Sequence, residues 1–149
     1  MGGTMIDFTT MAVFKTAAGE TVAQMLSGTN ETSGENSLMH YDQLYAVKDG
    51  GNTIYIAHGF GQGSTALPWQ ELRAFQVRDR QLVNSNIFPG SQPSLFVEFD
   101  LHHLNREEIP MILVIDSARR IFLPVQDNNE GFSGEYQELY FRNGVYKKR

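Results

Sequence analysis

Paired strands and tight turns recur along the whole chain, and they constrain its fold more than any other sequence feature. Short runs rich in Val, Ile, Phe, Tyr and Thr fit a pleated, half-buried surface. They are separated by turn pairs such as Asp49-Gly50 and Asn143-Gly144, which adopt positive φ at low cost. The pattern predicts five β-hairpins and one lone strand. The predicted strands cover residues 8–16, 21–26, 39–48, 53–59, 72–78, 81–88, 95–101, 111–115, 120–125, 136–141 and 145–148.

We therefore predict one all-β domain over residues 1–149, an antiparallel meander of about five hairpins whose sheet curves toward a barrel or a sandwich. Because hairpins recur at intervals of roughly 30 residues, a propeller-like stack of hairpins is the alternative. One or two short helical turns are expected among residues 20–26, 68–72 and 104–108. The polar stretch 27–37 shows no periodicity and is predicted to be a mobile loop.

Composition excludes several classes of protein. With 41% hydrophobic residues the chain is too apolar to be disordered, and without cysteine it has no disulfide, thiol nucleophile or Cys-ligated metal. The net charge of −5 lacks the basic patch that nucleic-acid binding requires, since the one basic cluster is residues 147–149. No apolar run approaches the ~18 residues of a membrane span. The sequence predicts no nucleic-acid partner, no transmembrane segment and no cofactor.

The low charged fraction of 19% leaves a surface rich in Ser, Thr, Asn and Gln, which suits an extracytoplasmic β protein. No basic segment followed by an apolar stretch opens the chain. Either the protein is cytoplasmic, or the sequence begins after a removed leader. We expect the second, with location in the periplasm or at the cell surface and a chain truncated at its N-terminus.

Three phrases of the sequence carry a resemblance. They are Gly2-Gly3-Thr4-Met5 before a Phe-rich strand, the run GQGSTALPW at 61–69 leading into Arg73-Ala74-Phe75, and VEFD at 97–100. In them the chain resembles uncharacterised secreted β proteins of gut-type bacteria, over most of its length. The resemblance implies a secreted all-β protein in which an aromatic strand precedes the position of Gly2. It implies no activity.

The glycine-rich run 58–64 (HGFGQGS) is the most distinctive segment. Its spacing matches neither a dinucleotide-binding fingerprint nor a nucleophile elbow, so it predicts an irregular strand exit or bulge at Gly59, Gly61 and Gly63. Glycines leave one face of an extended segment bare, and we expect Trp69 to pack back against it. The candidate binding residues follow from this run and its neighbour: His58, Phe60, Gln62 and Trp69.

The strand predicted at 95–101 carries a second candidate. Its alternation predicts that Val97, Phe99 and Leu101 are buried, with Glu98 and Asp100 mostly exposed. Side chains at i, i+2 and i+4 share one face, so Glu98, Asp100 and His102 are a candidate metal site. A polar outer strand face explains the same pattern without a metal.

These observations favour a non-catalytic binding or interaction domain, with a small molecule, a glycan or a protein as ligand. The oligomeric state is not predicted. A small hydrolase using sheet carboxylates is one alternative, and its candidate residues are Glu71, Glu98, Asp100, Glu135 and Glu138. A structural module that pairs through its edge strands is the other.

Overall fold

The structure, a computed structural model, describes residues 10–26, 40–62, 67–104 and 109–149. Eleven strands and no helix occur within these ranges, so the described part offers no helical membrane span. The strands are β1 (Met11–Lys15), β2 (Thr21–Met25), β3 (His40–Asp49), β4 (Asn52–Gln62), β5 (Pro68–Arg78), β6 (Gln81–Asn84), β7 (Ser94–Glu98), β8 (Leu113–Ile115), β9 (Arg120–Gln126), β10 (Phe132–Arg142) and β11 (Val145–Lys148).

The strands form three antiparallel sheets. A five-stranded sheet has the order β3-β4-β5-β6, with β7 also paired to β5, and a four-stranded sheet has the order β11-β10-β9-β8. Strands β6 and β7 lie end to end along one edge of β5, pairing with residues 75–78 and 69–73. The two larger sheets share a core without closing into a barrel, which makes the arrangement of the described strands sandwich-like.

Both large sheets contribute fully buried side chains to that core. Ile56 and Leu72 come from the five-stranded sheet, and Ile121 and Leu139 from the four-stranded sheet, all at 0% exposure. Burying such side chains stabilises the fold by roughly 1.5–3 kcal/mol each. Tyr146 joins the layers: its ring stacks on Phe88 at 5.4 Å between centroids, and its N–H donates to the Ile87 carbonyl at 2.7 Å.

The hairpin β1–β2 forms the third sheet and stands apart from this core, whose residues all come from outside β1 and β2. It joins β6 through the Gln24 side-chain amide, which donates to the Leu82 carbonyl at 3.1 Å and accepts from the Leu82 N–H at 2.8 Å. An exposed ion pair between Glu20 and Arg80 lies nearby at 2.8 Å. Within the described ranges, these two contacts attach the hairpin.

The predicted all-β fold and its hairpins are confirmed. Gly50 has φ of 58°, and Asn143 and Gly144 have φ of 52° and 79°, as the tight turns require. Strand β10 starts four residues before the predicted 136, at Phe132. A bulge between Phe132 and Tyr136, with Gly134 at φ of 92°, lets the strand continue through the irregular stretch.

Two of the three candidate helical turns are strands instead, and the alternative prediction of a strand at 21–26 is confirmed. Residues 21–25 form β2, and Pro68 opens β5, where the first position of a strand tolerates its missing N–H. Residues 105–108 of the third expected turn and the polar stretch 27–37 lie outside the described residues.

The predicted alternation of the strand at 95–101 fails at its end. Val97 and Phe99 are buried at 8% and 1%, as predicted, but Leu101 is 37% exposed. The reason is that ladder pairing stops at Glu98 and the chain turns over residues 101–103. Glu98 and Asp100 are half-buried, which is less exposure than the alternation predicts.

Candidate functional site

Strand β5 presents different chemistry on the two faces of the five-stranded sheet. Its inward side chains, Gln70, Leu72 and Ala74, are 2%, 0% and 0% exposed. Alternation places Trp69, Glu71 and Arg73 on the opposite side, which we call the outer face. Cross-strand pairing adds β4 and β7 residues to this face, since directly opposed residues project to the same side.

Trp69 lies on a glycine of the neighbouring strand. Gly61 is its cross-strand partner, and a Cβ at Gly61 would overlap the indole ring. Only glycine therefore lets this ring lie against the sheet at that position. The predicted contact between Trp69 and the glycine run is confirmed at Gly61. The predicted loop is wrong at Gly59 and Gly61, since both pair regularly with β5, and Gly63 lies outside the described residues.

Phe96 extends the apolar part of the outer face. Its ring lies 6.1 Å from that of Trp69 at an interplanar angle of 38°, and the residue is 58% exposed. Trp69 itself is half-buried. We call Trp69 and Phe96 the aromatic pair. Each ring has a carboxylate directly opposite in the ladder, Glu98 across from Trp69 and Glu71 across from Phe96.

Glu71 is fixed on this face by two charge-assisted hydrogen bonds. The Tyr41 hydroxyl donates to its Oε2 at 2.6 Å, and Arg73 Nη2 donates to its Oε1 at 2.9 Å. Burial, reinforced by the facing Glu71 carboxylate, raises the pKa of Tyr41, so the hydroxyl stays protonated and acts as donor. Both carboxylate oxygens of Glu71 are thus committed to neighbouring side chains.

The inner face of the same strands holds a buried polar network around His58, which is 1% exposed. The imidazole Nδ1 lies 3.1 Å from Gln43 Oε1, and Nε2 lies 3.3 Å from Gln70 Oε1. Gln70 also donates to the Pro110 carbonyl at 2.7 Å and accepts from the Ile112 N–H at 2.8 Å. Burial lowers the pKa of His58, partly opposed by the hydrogen bond with Gln70. This network ties the five-stranded sheet to the segment that leads into β8.

The four candidate binding residues are therefore not on one surface. His58 and Phe60 point inward, with ring centroids 4.8 Å apart, whereas Trp69 lies on the outer face. Gln62 ends β4 opposite Pro68, and its side chain lies outside the described part. Of the three whose side chains are described, Trp69 is the residue that a ligand on the outer face can reach.

The three candidate metal ligands do not converge. Glu98 ends β7, and Asp100 lies in the following turn, where Oδ1 accepts from the His102 N–H and Oδ2 pairs with His103 Nδ1, both at 2.9 Å. Over the described ranges, no three His, Asp or Glu side chains are grouped so that they could hold a metal ion. The i, i+2, i+4 geometry needs an extended strand through His102, and the strand ends too early.

Other carboxylates also have partners. Arg120 Nε donates to Glu138 Oε1 at 2.7 Å, and this bond holds the pKa of Glu138 below its usual value. The backbone N–H of His102 likewise lowers the pKa of Asp100. A general acid requires the opposite shift, toward neutrality, so neither group is tuned for that role.

Sequence reasoning missed Tyr41 and Arg73 as members of the outer face. Alternation at 69, 71 and 73 was a usable signal for Arg73, but interpreting residues 68–72 as a helical turn hides it. Tyr41 reaches Glu71 only through the pairing of β3 with β4 and of β4 with β5, and no local pattern predicts that.

Comparison with protein-family models, with curated proteins and with solved structures found no match to this chain.

Proposed function

We propose that this chain is a non-catalytic binding or interaction domain of an extracytoplasmic bacterial protein, and that its ligand binds on the outer face of the five-stranded sheet. One observation carries the proposal: the aromatic pair, Trp69 and Phe96, lies next to a fixed ion pair and a second carboxylate on one sheet surface. Large rigid rings beside a few positioned polar groups are typical of recognition surfaces.

The hydrogen bonding of the carboxylates supports a role without catalysis. Glu71, Asp100 and Glu138 each accept bonds from neighbours, and two of these groups have a lowered pKa. An acid–base pair needs one carboxyl group kept protonated near neutral pH. The lowered pKa values of Asp100 and Glu138 are shifts in the opposite direction.

Trp69 is the only tryptophan of the chain, so its fluorescence reports on the proposed site directly. We expect a ligand of the outer face to change the emission of Trp69 saturably. Soluble oligosaccharides and short peptides are the probes, and Phe96→Ala should weaken every response because it removes half of the aromatic pair. A control is Tyr136→Ala, which removes a partly exposed ring, at 39%, from the other large sheet. Equal responses of the two variants would contradict the proposal.

Strand β3 favours a second candidate function, assembly through a sheet edge. It is ten residues long and, among the described strands, lies at the edge of its sheet, which is the position where a partner strand adds to a sheet. Leu44 on this strand is 68% exposed. Asp42→Pro at the bulge, which removes a backbone donor, should abolish self-association in sedimentation if this edge is the interface.

The hydrolase alternative depends on Glu71 and Glu98, which are diagonal neighbours on the outer face. Such neighbours have Cα atoms about 7–8 Å apart, which is close enough for long side chains on one face to meet. Release of p-nitrophenol from aryl glycosides, lost in both Glu71→Gln and Glu98→Gln, would favour catalysis over simple binding.

The extracytoplasmic location is tested separately, by locating the protein in fractionated cells that express it from its complete gene.

A further inference from the structure

The two carboxylates of the outer face differ in their pairing. Glu71 is neutralised by Arg73 at 2.9 Å, and its side chain is 9% exposed. Glu98, opposite Trp69, has no Lys, Arg or His within ion-pair distance over the described ranges. Its backbone position is fixed, because the Glu98 carbonyl accepts a hydrogen bond from Gln126 of the other sheet. Among the described residues, the face therefore presents one negative charge without a paired cation, beside two aromatic rings.

An aromatic ring face attracts cations electrostatically, and a neighbouring carboxylate adds to that attraction. The chain as a whole carries a net charge of −5, so its long-range field also favours an approaching cation. A neutral ligand would use the rings but would leave the Glu98 charge without a partner. Charge complementarity thus favours a cationic ligand group for this face.

The geometry also distinguishes among cations. Phe96 is 58% exposed and lies on an open sheet surface, so a bound group stays partly in water. An ammonium ion keeps its tight hydration shell on such a surface. A guanidinium is planar and weakly hydrated, so it can stack on a ring while its N–H edge reaches a carboxylate. A small free cation would gain few contacts here, whereas an arginine within a peptide brings additional backbone contacts.

We infer that the outer face binds an arginine side chain of a partner protein segment, with the guanidinium stacked on the aromatic pair and donating to Glu98. The inference depends on the proposed function and specifies its ligand. Arg73 cannot take this role, since it is bonded to Glu71 on the same strand.

The test uses Trp69 fluorescence with acetyl-Gly-Gly-Arg-Gly-Gly-amide as the probe. Three comparison probes are the same peptide with citrulline, which has the shape of arginine without its charge, the same peptide with lysine, and tetramethylammonium. We expect the arginine peptide to bind most tightly, with affinity falling as salt rises. Glu98→Gln should weaken its binding roughly three- to fivefold, the effect of about 0.7–1 kcal/mol for an exposed ion pair.

The matched control is Asp79→Asn, which removes one negative charge from an exposed position in the turn between β5 and β6 and should leave the affinity unchanged. Each variant is first shown to keep the circular dichroism and thermal midpoint of the parent. Equal binding of the citrulline peptide, or the strongest response to tetramethylammonium, would overturn the arginine inference. A saturable response to a neutral saccharide, with none to the arginine peptide, would overturn it too and leave the proposed binding function standing.

Discussion

Adjacent residues of strand β5 face opposite environments. Gln70, 2% exposed, points inward and bonds to His58, the Pro110 carbonyl and the Ile112 N–H. Glu71, the next residue, points to the outer face and bonds to Tyr41 and Arg73. The hydrogen bonds of Gln70 connect the five-stranded sheet to the segment that leads into β8. The hydrogen bonds of Glu71 connect side chains of the five-stranded sheet only.

The comparison separates polar side chains that the fold needs for its stability from side chains that are available for binding. A buried amide that satisfies two backbone groups cannot be removed without leaving both unpaired in a dry interior. An exposed side chain of the outer face, such as Phe96 at 58%, already meets water and leaves no buried polar group unpaired when it is changed. Inner-face substitutions should therefore change the free energy of unfolding, and substitutions of exposed outer-face side chains should chiefly change binding.

The largest expected effect is that of Gln70→Ala. It leaves the Pro110 carbonyl and Ile112 N–H without their partner and opens a cavity, so we expect a loss of roughly 2–5 kcal/mol in unfolding free energy. Chemical denaturation measures this directly. Phe96→Ala, at the exposed outer face, is the comparison, and an equal loss in both variants would contradict the assignment of the two faces.

Gly61→Ala should cost about 1–3 kcal/mol, because the added methyl overlaps the Trp69 indole and forces the ring to move. The emission of Trp69 should change in the same variant. Gly51→Ala in the β3–β4 turn is the matched control, since a Cβ there meets nothing within 4 Å. In a Trp69→Ala background the penalty at Gly61 should shrink, and an undiminished penalty would show that the backbone of Gly61 causes it.

Acidification should weaken the fold through His58. Burial lowers the pKa of His58 from 6.5, so below pH 6.5 the unfolded chain binds a proton that the folded protein does not. Stability is therefore present above pH 6.5 and is lost as pH falls toward the lowered value. The slope for one proton is at most about 1.4 kcal/mol per pH unit.

Urea denaturation at several pH values measures that slope, which should be smaller in His58→Gln. Losses due to Asp100 and Glu138 begin lower, because their ordinary pKa values are 3.8 and 4.5 and the folded values lie below these. An identical slope in the parent and His58→Gln would show that His58 does not titrate in this window.

The smallest effect is expected at Leu44, which is 68% exposed on the outer face of β3. Leu44→Ser should change the unfolding free energy by less than about 0.5 kcal/mol. Val47→Ser is its inner-face counterpart, since Val47 is 1% exposed and would carry a hydroxyl into the core at a cost of several times that amount. Similar thermal midpoints for the two variants would contradict the assignment of Leu44 to the outer face and Val47 to the inner face of β3.

Local chemistry was sufficient to predict the hairpins. The turns at Gly50 and at Asn143-Gly144 depend only on which residues tolerate positive φ. The contact of Trp69 with Gly61 was also predictable, because a bare glycine face and a nearby large ring are neighbours in sequence.

The rest depends on contacts between residues far apart in the sequence. Gln70 meets Pro110 across 40 residues, and no periodicity in either segment indicates it. For the same reason His58 was predicted to be a binding residue, although its ring is held inside the sandwich-like core. The metal hypothesis required a strand through His102, but the pairing of β7 with β5 ends at Glu98 and the chain turns over residues 101–103. Side-chain direction follows from sheet topology, and topology is not encoded locally.

The two hydrogen bonds between the Gln24 side chain and the Leu82 backbone have a consequence for the motion of the β1–β2 hairpin. The Gln24 amide makes the same two hydrogen bonds to Leu82 that a paired strand residue would make, but it does so at one position only. The core that the two large sheets share contains no residue of β1 or β2. A two-stranded hairpin is only marginally stable alone, and few bonds of the described part oppose its detachment. The hairpin can therefore open as a local unit while both large sheets stay folded, so its backbone amides should exchange with solvent at a free energy well below that of global unfolding.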